Sequence, residues 1–357
     1  MKVLFIVPYP REGASTRYRV EQFLPYLEER GVKCTLRPFI CPGFYKILYK
    51  KNRYIKKLLY FSICCTKRLS DIFRALGYDI IFIHLEAFPF GPPLIEYFWA
   101  WCGKKIIFDL DDAIYMRNSS SANRIFSFLK CPSKIPKIIR LSECVIACNS
   151  YLKNYARQFI DENKIFVIHT SINTERFVPS CDKPNNKKIV IGWIGSHSTA
   201  IYLGQIKSVF TELAKKHDFI LRIIGAGAKI EIPKVNIENV EWNLDNDVQN
   251  FQNLDIGIYP LIENEWIKGK TGFKTIQYMS VGIPCVVSDL GSNKDIISDG
   301  IDGFLARTDE DWFNKLSMLI ENQNLRQKIG AAGRQTAQER YSLKINAPKI
   351  LSILNVV

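Results

Sequence analysis

Short apolar runs, each followed by a helix-like segment, recur along the whole chain and limit the folds open to it. VLFIV (residues 3–7), DIIFIH (79–84), KIIFDL (105–110), CVIAC (144–148) and the shorter stretches 32–36 and 165–168 fill the first half. IVIGWI (189–194), FILRII (219–224), DIGIY (255–259) and CVVS (285–288) fill the second. Runs this short and this continuously apolar read as strands buried on both faces, and helices between them imply parallel pairing. The expected class is α/β, a doubly wound parallel sheet built twice. A chain of 357 residues suits two such domains. Residues 1–172 are expected to form the first and 189–342 the second. Residues 173–188, rich in Pro, Asn, Asp and Lys, read as a linker, and 343–354 as a last helix within 343–357. Helices are expected at about 18–30, capped by Gly31, at 92–102, and from about 202.

The net charge of +14 calls for an anionic counterpart: lipid, nucleotide-linked substrate or nucleic acid. Residues 42–70 hold eight cationic side chains and no acidic one. On one continuous helix, Lys46, Lys50, Arg53 and Lys57 would share a face, with Phe44, Leu48, Ile55 and Leu59 on another and Tyr45, Tyr49, Tyr54 and Tyr60 at the boundary. Such a helix reads as binding an anionic membrane surface, or else as a solvated helix packed on its own domain. Nucleic acid is not expected, because no recognised binding signature accompanies the charge. No apolar run approaches the roughly 20 residues needed to span a bilayer, and residues 3–8 lack the length and cleavage site of a signal peptide. A cytoplasmic protein, peripheral on the inner face of the membrane, is expected. Ten scattered cysteines without paired spacing argue for reduced thiols rather than zinc.

The stretch WIKGKTGFKTIQYMSVGIPCVVSD (266–289) places Lys268, Lys270 and Lys274 around Gly272, at the opening of an amphipathic run that ends at Gly282. A basic loop that opens a helix suits a diphosphate, because backbone N–H groups and the positive helix end point at the anion. An ordinary surface helix before a core strand is the alternative. At the other candidate site, Gly13-Ala14-Ser15 is a small-residue loop that lets backbone approach a ligand. Arg17 and Arg19 follow it and suit phosphate. His84 ends one buried strand, as a site residue or a hydrogen-bonded structural one. IIFDLDDAIY (106–115) puts Asp109, Asp111 and Asp112 at the carboxyl end of another, where charge more often serves a site than a core. Gly225-Ala226-Gly227 lacks the third glycine and acidic residue that would argue for NAD.

Taken in order, MKVLFIVPYPREGASTRYRV, VIACNSYLKNYA, IHTSINTERF, IVIGWIGS, LRIIGAG, DIGIYPL and the 266–289 stretch resemble the family 4 glycosyltransferases (glycosyl transferases group 1) over nearly the whole chain. The resemblance implies a GT-B fold, two Rossmann-like domains facing across a cleft, with the last helix returning to the first domain. It implies a nucleotide-sugar donor held by Gly195, Ser196, Gly225, Tyr259, Lys268, Gly272, Phe273, Lys274 and Gln277. Lys270 would meet the diphosphate, helped by backbone N–H groups near Gly195 and Ser196. Asp111, acting with Lys270, would orient hydroxyls or stabilise positive charge at the anomeric carbon. Gly13, Ser15, Arg17 and His84 would line the acceptor or donor-sugar side. No cofactor and no metal are expected for the chemistry.

The chain departs from the family in two places. Most members carry two glutamates with seven residues between them, and here Gly269 and Gln277 stand there. Gln277 can still bond ribose hydroxyls, whereas Gly269 cannot replace a carboxylate that would touch the sugar. The usual Arg and Lys after IVIGWIG are replaced by Ser196, His197, Ser198 and Thr199. Asp109-Leu110-Asp111 also resembles the nucleophile motif of haloacid-dehalogenase phosphatases and the metal-binding Asp-x-Asp of GT-A transferases, but Ala113 stands where the phosphatase motif wants Thr. The resemblance implies retaining transfer of a sugar from a nucleotide-sugar to a glycan or lipid-linked acceptor, in surface polysaccharide or lipopolysaccharide assembly. A GT-B nucleotide-sugar epimerase and a catalytically inactive membrane-surface binding protein stay open as alternatives.

Overall fold

The computed structural model describes residues 1–48, 50, 52–116, 130–180 and 188–357. They divide into two compact units, one of Met1–Ser171 with Asn346–Val357 and one of Ile172–Ile345.

The first unit holds six strands: β1 (Lys2–Val7), β2 (Lys33–Pro38), β3 (Ile80–His84), β4 (Lys105–Leu110), β5 (Cys144–Ala147) and β6 (Ile165–Val167). They pair in the order β2-β1-β3-β4-β5-β6, all parallel. β1, β3 and β5 are buried almost throughout, which is why they are apolar without alternation. β1 and β2 lie on one side of the order and β3 to β6 on the other. The order in which strands are added therefore reverses between β1 and β3, the point at which open parallel sheets place ligands at their carboxyl ends.

The second unit repeats the design with β7 (Ile189–Ile194), β8 (Phe219–Ile224), β9 (Asn236–Val240), β10 (Ile256–Tyr259), β11 (Cys285–Ser288) and β12 (Phe304–Ala306). Their order is β12-β11-β10-β7-β8-β9, again parallel, with the reversal between β10 and β7. Trp193, Phe210, Leu221, Ile258, Val286 and Leu316 fill its core. Tyr278, fully buried, ties the reversal together: its hydroxyl lies 3.2 Å from the carbonyls of both Gly192 and Ile258, its one proton serving one of them at a time. Within the stretch 173–188, residues before 180 are fastened to this unit. Phe177 is buried, Arg334 Nη2 donates to Thr174 O (2.6 Å), and Gln252 Nε2 donates to Val178 O (2.8 Å). Residues 181–187 lie outside the described residues.

The helix expected at 18–30 is interrupted. Ala14–Arg19 and Leu24–Glu28 are separate, with a single tight turn at Glu21–Phe23 between them. Pro25 lacks the N–H that a continuous helix would aim at Glu21. The basic stretch is also not one helix. Pro42–Leu48 and Tyr54–Arg74 are two, and Asn52 between them has φ 58°. Lys50 and Arg53 lie outside both, so Lys46, Lys50, Arg53 and Lys57 do not share one helical face. Phe44 packs with Phe39 and Cys64 in a small core rather than lining an outer face. Tyr49 and Lys51 lie outside the described residues.

One buried ion pair anchors the first unit at its reversal point. Arg19, at the end of helix Ala14–Arg19, donates through Nε and Nη2 to both oxygens of Asp109 on β4, and through Nη1 to Ile168 O (2.6 Å). Both side chains are almost inaccessible. Burial alone would raise the Asp109 pKa, but the Arg19 charge and the His84 hydrogen bond outweigh it and hold the carboxyl below its ordinary value.

Two outcomes test this packing. Gly225 has φ +82°, and a Cβ there would sit 2.4 Å from Gly195 O, whereas Gly300 (φ +77°) has only Phe304 at 4.0 Å. Gly225→Ala should therefore cost about 3 kcal/mol against about 1 for Gly300→Ala, read by urea unfolding. Removing one partner of a buried pair strands the other, so Asp109→Asn should cost about 3–5 kcal/mol at pH 7. Because the folded-state pKa is depressed, that stabilisation is complete above the unfolded value of about 3.9 and fades as pH falls through the folded value. The gap between wild type and Asp109→Asn should accordingly narrow between pH 5 and about pH 2; a gap constant over that range would show that the pair contributes no pH-dependent stability.

Candidate functional site

In the first unit the polar cluster is built at the carboxyl ends of β1, β3 and β4. The strand register pairs His84 with Asp109, which sets the two side chains side by side. His84 Nδ1 lies 2.7 Å from Asp109 Oδ2, and Nε2 lies 2.6 Å from Ser15 Oγ. Asp109 is an ionised acceptor, so Nδ1 carries a proton and donates to it. In the neutral imidazole Nε2 then accepts from the Ser15 hydroxyl. Ser15 Oγ is also 3.2 Å from Asp111 Oδ2, and one hydroxyl proton serves one of these contacts at a time. The other oxygen of Asp111, Oδ1, is buried with no hydrogen-bond partner among the described residues.

The backbone at this point is strained. Leu85, directly after His84, has φ 64°, and Glu86 N donates to His84 O (2.9 Å), closing a tight three-residue turn. A leucine in that region costs about 1–3 kcal/mol and is over-determined here by Leu85 N donating to Asp109 O (2.9 Å). Gly13 is required by contact: a Cβ would fall 2.5 Å from Tyr9 Cβ. Arg17 is buried and donates to Arg11 O (3.0 Å), with its guanidinium 4.8 Å from the Tyr18 ring.

In the second unit the basic loop follows β10. A short helix, Glu265–Lys268, is capped by Asn264, whose side chain accepts from Ile267 N (2.9 Å). Lys268 Nζ lies 2.5 Å from Glu265 Oε1, an exposed pair of little energetic weight. Lys270 is half-buried, with its ammonium 5.9 Å from the Trp266 ring centre. Its backbone is held on both sides: Lys270 N donates to Ile267 O (3.0 Å), and Lys270 O accepts from Ser292 Oγ (2.5 Å). Gly272 follows with φ 63°, and a Cβ there would meet Ile296 Cδ1 at 2.5 Å. It is the N-terminal cap of helix Phe273–Ser280, on which Phe273 and Lys274 are half-buried and Gln277 is buried.

The loop after β7 lies on the other side of the reversal. Gly195 N donates to Ile224 O (3.0 Å) and Ser196 N to Thr199 Oγ1 (3.1 Å), so both N–H groups expected to meet a diphosphate are occupied internally. Ser196 O accepts from Thr199 N and Ala200 N, which makes this a closed turn leading into helix Lys207–Lys216 by way of residues 200–206. Gly225 lets the β8 loop press against Gly195 O, and Tyr259 ends β10 buried.

The structure brings Ser15, His84 and Asp111 into one hydrogen-bonded group. Asp109 and Arg19 are its buried support, a role the sequence did not suggest for them. A period-two reading of β4 puts Asp109 and Asp111 on one side, and that was the available signal. In the second unit Lys270, Gly272, Phe273, Lys274 and Gln277 belong to one loop and helix. The supporting set Thr275–Asn293–Ser288 was missed: Thr275 Oγ1 donates to Asn293 Oδ1 (2.8 Å), and Asn293 Nδ2 donates to Ser288 O (3.0 Å). Among the described residues no three His, Cys, Asp or Glu side chains are placed to hold a metal ion.

Residues 188–322 match the family model described as glycosyl transferases group 1. No curated protein sequence matches the chain. Among solved structures, a glycosyltransferase from Rickettsia africae is 18% identical, with 99% of this chain and 97% of that chain covered and a TM-score of 0.70. HepE of Anabaena, solved with UDP-glucose, is 13% identical with 100% of both chains covered and a TM-score of 0.70. The lipopolysaccharide outer core galactosyltransferase WaaB is 17% identical, with 98% and 99% covered and a TM-score of 0.61. These likenesses give the fold. Residues 188–322, which contain the basic loop and all of β7 to β12, are a glycosyl transferases group 1 segment, in a chain with the GT-B fold.

Proposed function

We propose that the chain transfers a sugar from a nucleotide-sugar to a glycan or lipid-linked acceptor with retention at the anomeric carbon, in the assembly of a surface polysaccharide or lipopolysaccharide. The observation that carries this reading is the Lys270–Gly272 loop opening helix Phe273–Ser280 inside the matched family segment. A half-buried ammonium on a backbone held at both its N–H and its carbonyl is pre-organised for an anion, and pre-organised charge stabilises a leaving group without reorganisation. Lys274 and Lys268 add charge, and Gln277 serves the nucleotide's ribose. HepE, which has the same fold, is solved both with UDP-glucose and with UDP, which makes uridine diphosphate sugars the first donors to test.

In the reaction the bond from the anomeric carbon to the diphosphate oxygen breaks and the bond to the acceptor oxygen forms on the same face. The acceptor proton leaves with the diphosphate. Positive charge develops at the anomeric carbon, and a carboxylate stabilises it. Asp111 is assigned that role, or the orienting of a sugar hydroxyl, because its buried Oδ1 accepts from none of the described residues and a ligand hydroxyl would satisfy it. Ser15 and His84 hold the other oxygen in place. No metal takes part in this reading. Lys46, Lys50, Arg53 and Lys57 draw the protein to an anionic membrane surface, where a lipid-linked acceptor would reside.

Three measurements examine this reading. A thermal-shift panel of nucleotide sugars should single out the donor, since a ligand at 100 times its Kd adds about 2.7 kcal/mol to the folded state. Lys270→Ala should lower turnover about 100-fold at saturating donor with the fold retained; wild-type turnover would remove Lys270 from the mechanism. Activity should persist in EDTA yet fall sharply in Asp111→Ala. A preparation silenced by EDTA and restored by Mg²⁺ or Mn²⁺ would instead make Asp111 a metal ligand.

A further inference from the structure

Helix Tyr54–Arg74 carries apolar side chains on its outer face as well as on its inner one, where Cys64, Tyr60 and Phe61 pack with Phe39 and Phe44. Its core-facing positions carry Cys64, Arg68 and Asp71, all buried. Arg68 and Asp71 form an ion pair (3.3 Å), and Arg37 adds a second contact to Asp71 (2.6 Å). The opposite face, at helical spacing, carries Ile55 (78% exposed), Leu59 (61%), Leu69 (60%) and Phe73 (69%). Lys56, Lys67 and Arg74 are exposed and follow one another along one edge of that apolar stripe, and Asp71, the helix's one acidic residue, is turned inward. A second exposed apolar edge continues it. Phe73 meets Phe98 (6.2 Å), Phe98 meets Trp101 (6.3 Å), and Trp101 is 84% exposed at the end of helix Leu94–Trp101.

An exposed apolar stripe of this kind calls for a covering partner. Its cationic edge, free of acidic side chains, fits an anionic bilayer. The exposed tryptophan suits the boundary between headgroups and acyl chains. Among the described residues no helix is long and apolar enough to cross a membrane, so the helix would lie in the interface rather than span it.

We infer that the outer face of helix Tyr54–Arg74, with Trp101, inserts into the interface of an anionic lipid bilayer. This rests on the membrane-surface reading above and adds insertion of apolar side chains to attraction of charge. The two differ in their response to salt, because ionic strength screens charge over about 3 Å at 1 M but leaves buried hydrocarbon in place.

The test is sedimentation of the full chain with phosphatidylcholine vesicles, alone or mixed with phosphatidylglycerol, at low salt and near 1 M. Tryptophan quenching by lipids brominated on their acyl chains is recorded in parallel. Wild type should bind the anionic vesicles, keep a measurable fraction bound at high salt, and be quenched. Leu59→Ser with Phe73→Ser should lower partitioning about 10-fold or more. Trp101→Phe should abolish most of the quenching, although five other tryptophans remain in the chain's six. Binding that is fully reversed by salt and untouched by the serine changes would overturn insertion and leave charge attraction standing. So would a dimer in light scattering that the serine changes split, because a second copy would then be the covering partner. Donor binding, followed by thermal shift without vesicles, is independent of either result, so failure here and failure of the transferase reading are distinguishable.

Discussion

The first unit depends on a carboxylate that would be prohibitive to bury alone. Asp109 is almost fully enclosed, and desolvation acts strongly against its charge. Arg19 brings an equally buried opposite charge in two-point contact, and His84 adds a hydrogen bond. The same contacts that make the burial tolerable fix the imidazole: Nδ1 is committed to Asp109, leaving Nε2 as the one ring nitrogen able to face a hydroxyl. Ser15, and through it Asp111, is thereby set at the reversal point of the sheet, with Leu85 held in a strained turn to keep the strand end in register. Stability and site geometry are one arrangement here, and losing Asp109 would release both.

The second unit solves a similar positioning problem with backbone rather than charge. Gly225 and Gly195 allow two loops to meet at a distance no Cβ permits, and Gly272 fits under Ile296 while turning the chain into helix Phe273–Ser280. Lys270 is then presented from a backbone bonded to Ile267 and Ser292. Gly269, where the family usually has a carboxylate, ends the preceding short helix with an ordinary φ of −80°. No glycine is demanded there by the backbone, so the turn itself does not account for the missing side chain.

How much of this was legible follows from what each element buries. β1, β3 and β7 were readable because both faces are covered and the sequence is apolar without a break. β9, with the polar sequence NIENV, and β12, with three residues, were not. Each is an edge strand, held by one neighbour, so neither carries the apolar signature that double-sided burial imposes. The break between Pro42–Leu48 and Tyr54–Arg74 escaped because Asn52, in the left-handed region, resembles any polar helix residue in sequence. The Lys270 loop and the Ser15, His84 and Asp111 positions were candidates in the sequence, and the structure brings the last three into one hydrogen-bonded group. The inward role of Arg19 and Asp109 was not, because it depends on the β3–β4 register and on a helix 90 residues earlier in the chain.

Periodicity has a further blind spot, and helix Tyr54–Arg74 exposes it. A stripe of Ile55, Leu59, Leu69 and Phe73 at helical spacing gives the same pattern whether it faces a core or the outside. The usual inference is inward, because apolar burial drives folding. Here the inward positions are taken by Arg68 and Asp71, whose pairing with each other and with Arg37 secures the helix to the sheet through polar contacts, Arg68 also donating to Val7 O (3.4 Å) and Arg37 O (3.3 Å). Cys64, Tyr60 and Phe61 add an apolar contact to Phe39 and Phe44 on that inner side, and the proposed insertion would take the outer stripe into another phase. Of the eight cationic side chains in residues 42–70, Arg68 serves the attachment to the sheet, and on the proposed insertion the exposed ones would face an anionic surface.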